Sequence, residues 1–162
     1  MKKKTCLVTG VGWGTGNAIV RKFANSGYQV AMLARRDDRL AIMEEAIEGA
    51  HAYPCDVTSA DLLKITVQRI VDDLGSPSIV IHNAVGGSWG NFLEIDPNDL
   101  EYNFQVNTMA LLHIARLTLP KMIENGEGSL ICTGNTSAHR GRDRYAGFAP
   151  TKAAQRILAQ SI

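Results

Sequence analysis

The stretch Thr5-Cys6-Leu7-Val8-Thr9-Gly10-Val11-Gly12-Trp13-Gly14-Thr15-Gly16 decides how the rest of the chain is read. Its first half is a short, mostly apolar run, as expected of a strand covered on both faces. Its second half places glycines at 10, 12, 14 and 16. Glycine lets the backbone turn sharply and lets a ligand approach it closely. Beyond Gly16 the pattern becomes helical, with Ile19, Val20, Phe23 and Ala24 forming an apolar stripe that stops at Ser26-Gly27. A strand, a glycine turn and a helix start make an anion site, because the free first-turn N–H groups and the helix dipole favour a pyrophosphate. Gly10, Gly12, Trp13, Gly14 and Gly16 are the first candidate nucleotide contacts.

The same alternation continues outward. Strand candidates are Thr5–Thr9, Gln29–Ala34, Ala50–Cys55, Ser78–Asn83 and Ser129–Thr133. Thr58 and Asp61 have capping-box spacing ahead of Leu63, Val67, Ile70, Val71 and Leu74, and Gly75 ends that helix. Asp96-Pro97 starts a long helix predicted to reach about Met122, and a last helix begins near Phe148–Pro150. The order βαβαβαβαβα predicts an α/β fold: a Rossmann-type, doubly wound parallel sheet in the order 3-2-1-4-5. The last helix carries Ile157, Leu158 and Ile162 and then stops without a capping signal, so the chain reads as cut. Strand five is then expected to be a bare edge.

Composition narrows the function classes. The 162 residues suffice for a single domain, 1–162, and 45% hydrophobic with 20% charged residues is ordinary globular composition. With a net charge of +1 and basic residues spread along the chain, no nucleic-acid footprint is expected. The densest basic segment, His139-Arg140-Gly141-Arg142-Asp143-Arg144, reads as a solvated loop. Met1-Lys2-Lys3-Lys4 runs straight into Cys6-Leu7-Val8, which is too short for a secretory signal, and no run is long enough to span a membrane. Cys6, Cys55 and Cys132 lie far apart and read as reduced thiols in a cytoplasmic protein. No metal site is expected: the cysteines lack paired spacing, and His51, His82, His113 and His139 are isolated from one another.

The spacing Thr-Gly-x-x-x-Gly-x-Gly from Thr9 to Gly16 resembles the short-chain dehydrogenase/reductase family. Further matches follow in order: Asp56-Val57 after strand three, His82-Asn83-Ala84 after strand four, Asn107 in the long helix and Lys152 in the last. The family commonly has Asn-Asn-Ala-Gly after strand four, where this chain has His82-Asn83-Ala84-Val85-Gly86. The resemblance covers essentially the whole chain. It implies that Asp56 contacts the adenine amino group, that Asn83 lies along the cofactor, with Val57 beside Asp56 and Ala84 beside Asn83 also in the cofactor site, and that the fold lacks the family's last strands. It also implies a small-molecule substrate and, for the full-length form, a homo-oligomer.

At the end of strand two the sequence has Ala34-Arg35-Arg36 in place of an acidic residue. A guanidinium fork suits a 2′-phosphate, so Arg35 and Arg36 favour NADP(H) over NAD(H), with Arg35 the better candidate; Asp37 and Asp38 weigh against.

In most members of the family a tyrosine exchanges the proton, a lysine lowers its pKa, a serine orients the substrate oxygen and an asparagine supports a water relay. By the resemblance Asn107 and Lys152 fill their slots, the tyrosine slot is Phe148, and the serine slot is Asn135 or, with a shifted loop, Ser137. Phe148 has no proton to exchange. Tyr145 is a poor substitute, being seven residues from Lys152 and so about 10 Å away on a helix. Trp89 and Phe92 are candidate pocket residues. An NADP(H)-dependent oxidoreductase acting on a carbonyl or alcohol is the leading reading. The alternatives are a catalytically silent nucleotide-binding protein, serving as sensor or partner subunit, and a truncated, non-functional product.

Overall fold

A computed structural model describes residues 3–162; Met1 and Lys2, part of the N-terminal run read above, lie outside the described residues. Among the described residues, five strands and six α-helices follow in the order β1 (Thr5–Thr9), α1 (Thr15–Asn25), β2 (Gln29–Ala34), α2 (Asp37–Ala46), β3 (Ala50–Pro54), α3 (Ala60–Leu74), β4 (Pro77–His82), α4 (Pro97–Phe104), α5 (Ala110–Asn125), β5 (Ser129–Cys132) and α6 (Ala149–Ser161). All neighbours in the sheet are parallel, in the predicted order β3-β2-β1-β4-β5.

The near-continuous apolar runs have the expected cause. Along β1, Cys6 and Val8 pack with Val20 of α1 and with Leu40 and Met43 of α2. Leu7 points the other way, into a second core with Leu63, Val67 and Ile70 of α3 and Ala110, Ile114 and Met122 of α5. Period-two alternation thus feeds two cores, and each fully buried Leu or Ile contributes about 1.5–3 kcal/mol. β5 is the edge strand, and Ser129 and Ile131, which alternate along it, are exposed.

Two local predictions need correcting. The cap of α3 is Ser59, not Thr58: Ser59 Oγ accepts from the Leu62 amide at 3.3 Å. Thr58 is drawn back toward Asp56, whose Oδ1 accepts from the Thr58 amide at 3.0 Å and its hydroxyl at 2.8 Å. The long helix begins at Asp96-Pro97 as predicted and runs to Asn125, but it is not α-helical throughout. A π turn, Gln105–Met109, separates α4 from α5 and contains Asn107. A single 3₁₀ turn, Thr136–Ala138, follows β5.

Candidate functional site

The carboxyl ends of β1, β2, β3 and β4 open into a cleft of about 920 Å³. Its walls include Gly10, Gly12, Gly14 and Gly16, then Arg35, Arg36, Asp56 and Val57, and on the far side Asn83 and Ala84. This is where ligands bind in open α/β sheets, at the point where strand order reverses from β1 to β4.

The four glycines divide into two pairs. Gly10 has φ +67°, and a Cβ there would stand 2.4 Å from Ala84 Cα; at Gly16 it would stand 2.8 Å from the Gly10 carbonyl oxygen. These two are required by the protein's own packing. At Gly12 and Gly14 a Cβ would meet nothing within 4 Å. The protein's own packing therefore does not require a glycine at either position. Their carbonyls accept from the Asn17 and Ala18 amides at 2.9 and 3.2 Å, and their bare backbone borders the cleft at the start of α1, where the Thr15 and Gly16 amides lack intrahelical partners. A cradle of this shape suits a pyrophosphate.

The two arginines at the end of β2 are also distinct. Arg36 is committed to Asp38, donating from Nε and Nη2 at 2.9 and 2.7 Å, and this guanidinium holds the Asp38 carboxyl down at about 2. Arg35 donates from Nη1 to the Tyr102 hydroxyl at 2.8 Å, a neutral partner that leaves its charge uncompensated. Tyr102 lies on α4 across the cleft and was not found by sequence reasoning; no motif signals it. Trp13 is more than half exposed and is not part of the cleft wall.

Beyond the glycine turn, β1 and β4 are joined through Thr9. Its hydroxyl oxygen accepts from the amides of Asn83 at 3.1 Å and Ala84 at 3.2 Å. The Asn83 side-chain amide donates to the Gly10 carbonyl at 2.9 Å.

Of the predicted catalytic residues, Asn107, Ser137, Phe148 and Lys152 are buried and Asn135 is exposed. Asn107 is fully buried and its amide is fully used: Nδ2 donates to the Gly86 carbonyl and to Thr151 Oγ1, both at 2.8 Å, and Oδ1 accepts from the Gly86 amide. Lys152 is buried and donates from Nζ at 2.8 Å to the carbonyl of Thr133, a cleft residue; burial pushes its pKa down. Asn135 caps the 3₁₀ turn, and its Oδ1 accepts from the Ser137 amide at 2.9 Å and from the Ser137 hydroxyl at 2.7 Å. Ser137 is buried with its proton engaged, whereas Asn135 is exposed and keeps its NH₂ donors.

Phe148 stands at the start of α6, 5% exposed. Its ring packs on Trp89 at 4.9 Å between centroids, and Trp89 meets Tyr145 edge-on at the same separation. Two backbone bonds clamp this aromatic group: the Gly90 amide to the Arg144 carbonyl at 3.1 Å and the Ala146 amide to the Gly90 carbonyl at 3.3 Å. Tyr145 precedes α6, as expected of a loop residue, and Phe92 is 79% exposed, outside the group. The basic segment 139–144 is an exposed loop, with Arg144 3.6 Å from Glu94. Among the described residues, no helix is long and apolar enough to cross a membrane.

A model of the short chain dehydrogenase family matches residues 4–162, and the chain belongs to that family. A short chain dehydrogenase of Pseudocercospora fijiensis is 32% identical over 169 residues, covering 100% of this chain and 54% of that protein. The solved structure of NAD⁺-bound xylitol dehydrogenase is 26% identical with a TM-score of 0.90, covering 98% of this chain and 63% of its own. An alcohol dehydrogenase from the archaeon Thermococcus sibiricus, complexed with 5-hydroxy-NADP, is 25% identical with a TM-score of 0.90, covering 98% of this chain and 69% of its own. The chain thus spans about half the length of the curated relatives it matches, at 54% and 50% for two of them.

Proposed function

We propose that the chain is the nucleotide-binding part of an NADP(H)-dependent oxidoreductase acting on a carbonyl or alcohol. The observation that carries the reading is the open backbone at Gly12 and Gly14 beside an arginine, Arg35, with no carboxylate partner. Gly12, Gly14 and the first-turn amides of α1 hold the pyrophosphate. Arg35 takes the 2′-phosphate, where a charge-assisted contact replaces its bond to Tyr102. Asp56 has committed Oδ1 to Thr58 and keeps Oδ2 for an adenine amino group. NAD⁺-bound and NADP-type relatives both support a nicotinamide cofactor. When bound, that cofactor supplies or accepts the hydride.

The chain's own residues must then orient the substrate oxygen and manage its proton. Asn135 is the better orienting group, because the Ser137 hydroxyl is already donated to it. Phe148 cannot hold a proton, and Lys152, its pKa pushed down by burial, is a candidate to do so at Nζ. The same Phe148 favours the second reading, a silent nucleotide-binding protein. The free thiols of Cys6, Cys55 and Cys132 support a reducing, cytoplasmic setting, and a small-molecule substrate and a homo-oligomeric full-length form belong to the same proposal.

Calorimetric titration with NADP⁺ and NAD⁺, followed by NADPH oxidation over a carbonyl panel, tests both readings. Tight NADP⁺ binding with turnover is expected of the oxidoreductase. Binding without turnover selects the silent protein, and failure to bind either nucleotide removes both.

A further inference from the structure

His82 is the last residue of β4, fully buried, and sequence reasoning assigned it no role beyond its departure from the family's usual residue. Its Nδ1 lies 3.1 Å from Thr9 Oγ1 and its Nε2 lies 3.2 Å from the Val106 carbonyl oxygen. A carbonyl only accepts, so Nε2 carries the hydrogen. Thr9 Oγ1 already accepts from the Asn83 and Ala84 amides, which uses both its lone pairs and leaves its one proton to donate. That proton goes to Nδ1. Two independent partners thus require the same state, a neutral imidazole in the Nε2–H tautomer.

The Val106 carbonyl is free to accept because of the π turn, which sends the Ala110 amide to Gln105, five residues back, instead of to Val106. We infer that His82 is a positioning residue for the cleft, joining the Thr9 hydroxyl that holds the Asn83–Ala84 wall to the π turn that carries Asn107. The inference rests on the nucleotide-binding reading above. It adds a consequence: protonating Nδ1 presents a donor to an oxygen with no lone pair left, so Thr9 must release Asn83 or Ala84. The groups around the ring oppose protonation. Burial and the Lys152 charge from α6 lower its pKa to about 4, and its register partner on β5 is the thiol-bearing Cys132. Nucleotide binding should therefore weaken as His82 takes up a proton.

The test separates tautomer from binding. Nitrogen-15 NMR of the natural chain should show His82 neutral as Nε2–H down to about pH 5. An Nδ1–H tautomer, or titration at the ordinary histidine position, overturns the inference. NADP⁺ titrations from pH 7.5 to 4 then compare His82→Asn, His82→Gln and His82→Leu with the natural chain. A carboxamide offers one donor and one acceptor and does not titrate. At least one amide variant should bind NADP⁺ within about threefold of the natural chain at neutral pH and show a weaker fall in acid. His82→Leu leaves Thr9 and Val106 unpaired and should weaken binding at least about tenfold. Natural affinity in His82→Leu, or an undiminished acid fall in every amide variant that binds, overturns it. If nothing binds NADP⁺, the functional proposal fails, and the tautomer with the Asn83 and Ala84 amide shifts in acid still decides the role of His82.

Discussion

Replacing single glycines of the turn by alanine separates what the protein needs from what a ligand needs. Gly10→Ala forces a side chain to φ +67° and to 2.4 Å from Ala84 Cα. The left-handed backbone costs about 1–2 kcal/mol and the displaced β4 end about 1–3 more, so roughly 2–5 kcal/mol of stability should be lost. Gly12→Ala meets nothing within 4 Å and has no positive φ. It should leave stability unchanged or raise it by about 0.4–1 kcal/mol, through the stiffer unfolded chain. Its methyl instead occupies ground where a pyrophosphate would touch the backbone. Losing a charge-assisted contact costs about 1.5–3 kcal/mol, or roughly 10- to 150-fold in NADP⁺ affinity. Urea denaturation and calorimetry on both variants check this. Gly12→Ala that loses stability but binds normally would show that the open cradle is structural and refute the reasoning.

Three further outcomes are expected. Arg35→Ala should weaken NADP⁺ by about 1.5–3 kcal/mol more than NAD⁺; equal losses in parallel titrations would make Arg35 a support for Tyr102 alone. Phe148→Tyr, tested in a chain carrying the full length of its relatives, should raise carbonyl reduction by about 10²–10⁴ if a positioned acid is what the site lacks; unchanged turnover with intact NADP⁺ affinity would deny that role. His82 sits well below its ordinary pKa of 6.5, at about 4, so the unfolded chain binds the extra proton and stability falls as pH drops through that interval. The full span corresponds to roughly 3 kcal/mol, read as a drop in urea midpoint from pH 7 to 4 that is reduced in His82→Gln.

The fold was legible because its signals are local and repeated. β1 and β2 bury both faces and so read as unbroken apolar runs, and Asp96-Pro97 announces a helix start that the structure keeps. The glycine turn was legible as a unit, but the division between Gly10 and Gly12 was not. That division depends on how close β4 comes, a fact of tertiary packing. The same limit hid Tyr102, which reaches Arg35 across 67 residues of sequence. Thr58 misled because its spacing to Asp61 is right for a cap, while Asp56 lies nearer and takes its hydroxyl first. The π turn was missed for a deeper reason. Hydrophobic periodicity continues on both sides of it, with Val106 and Ala110 each buried, so one extra residue per turn leaves no gap in the apolar pattern. What the turn changes is a carbonyl's partner, and the compensating donor is His82, 24 residues earlier. A histidine at the end of an apolar strand is therefore read correctly only together with the helix opposite it: the Val106 oxygen needs a hydrogen, Thr9 needs an acceptor, and one neutral imidazole meets both demands.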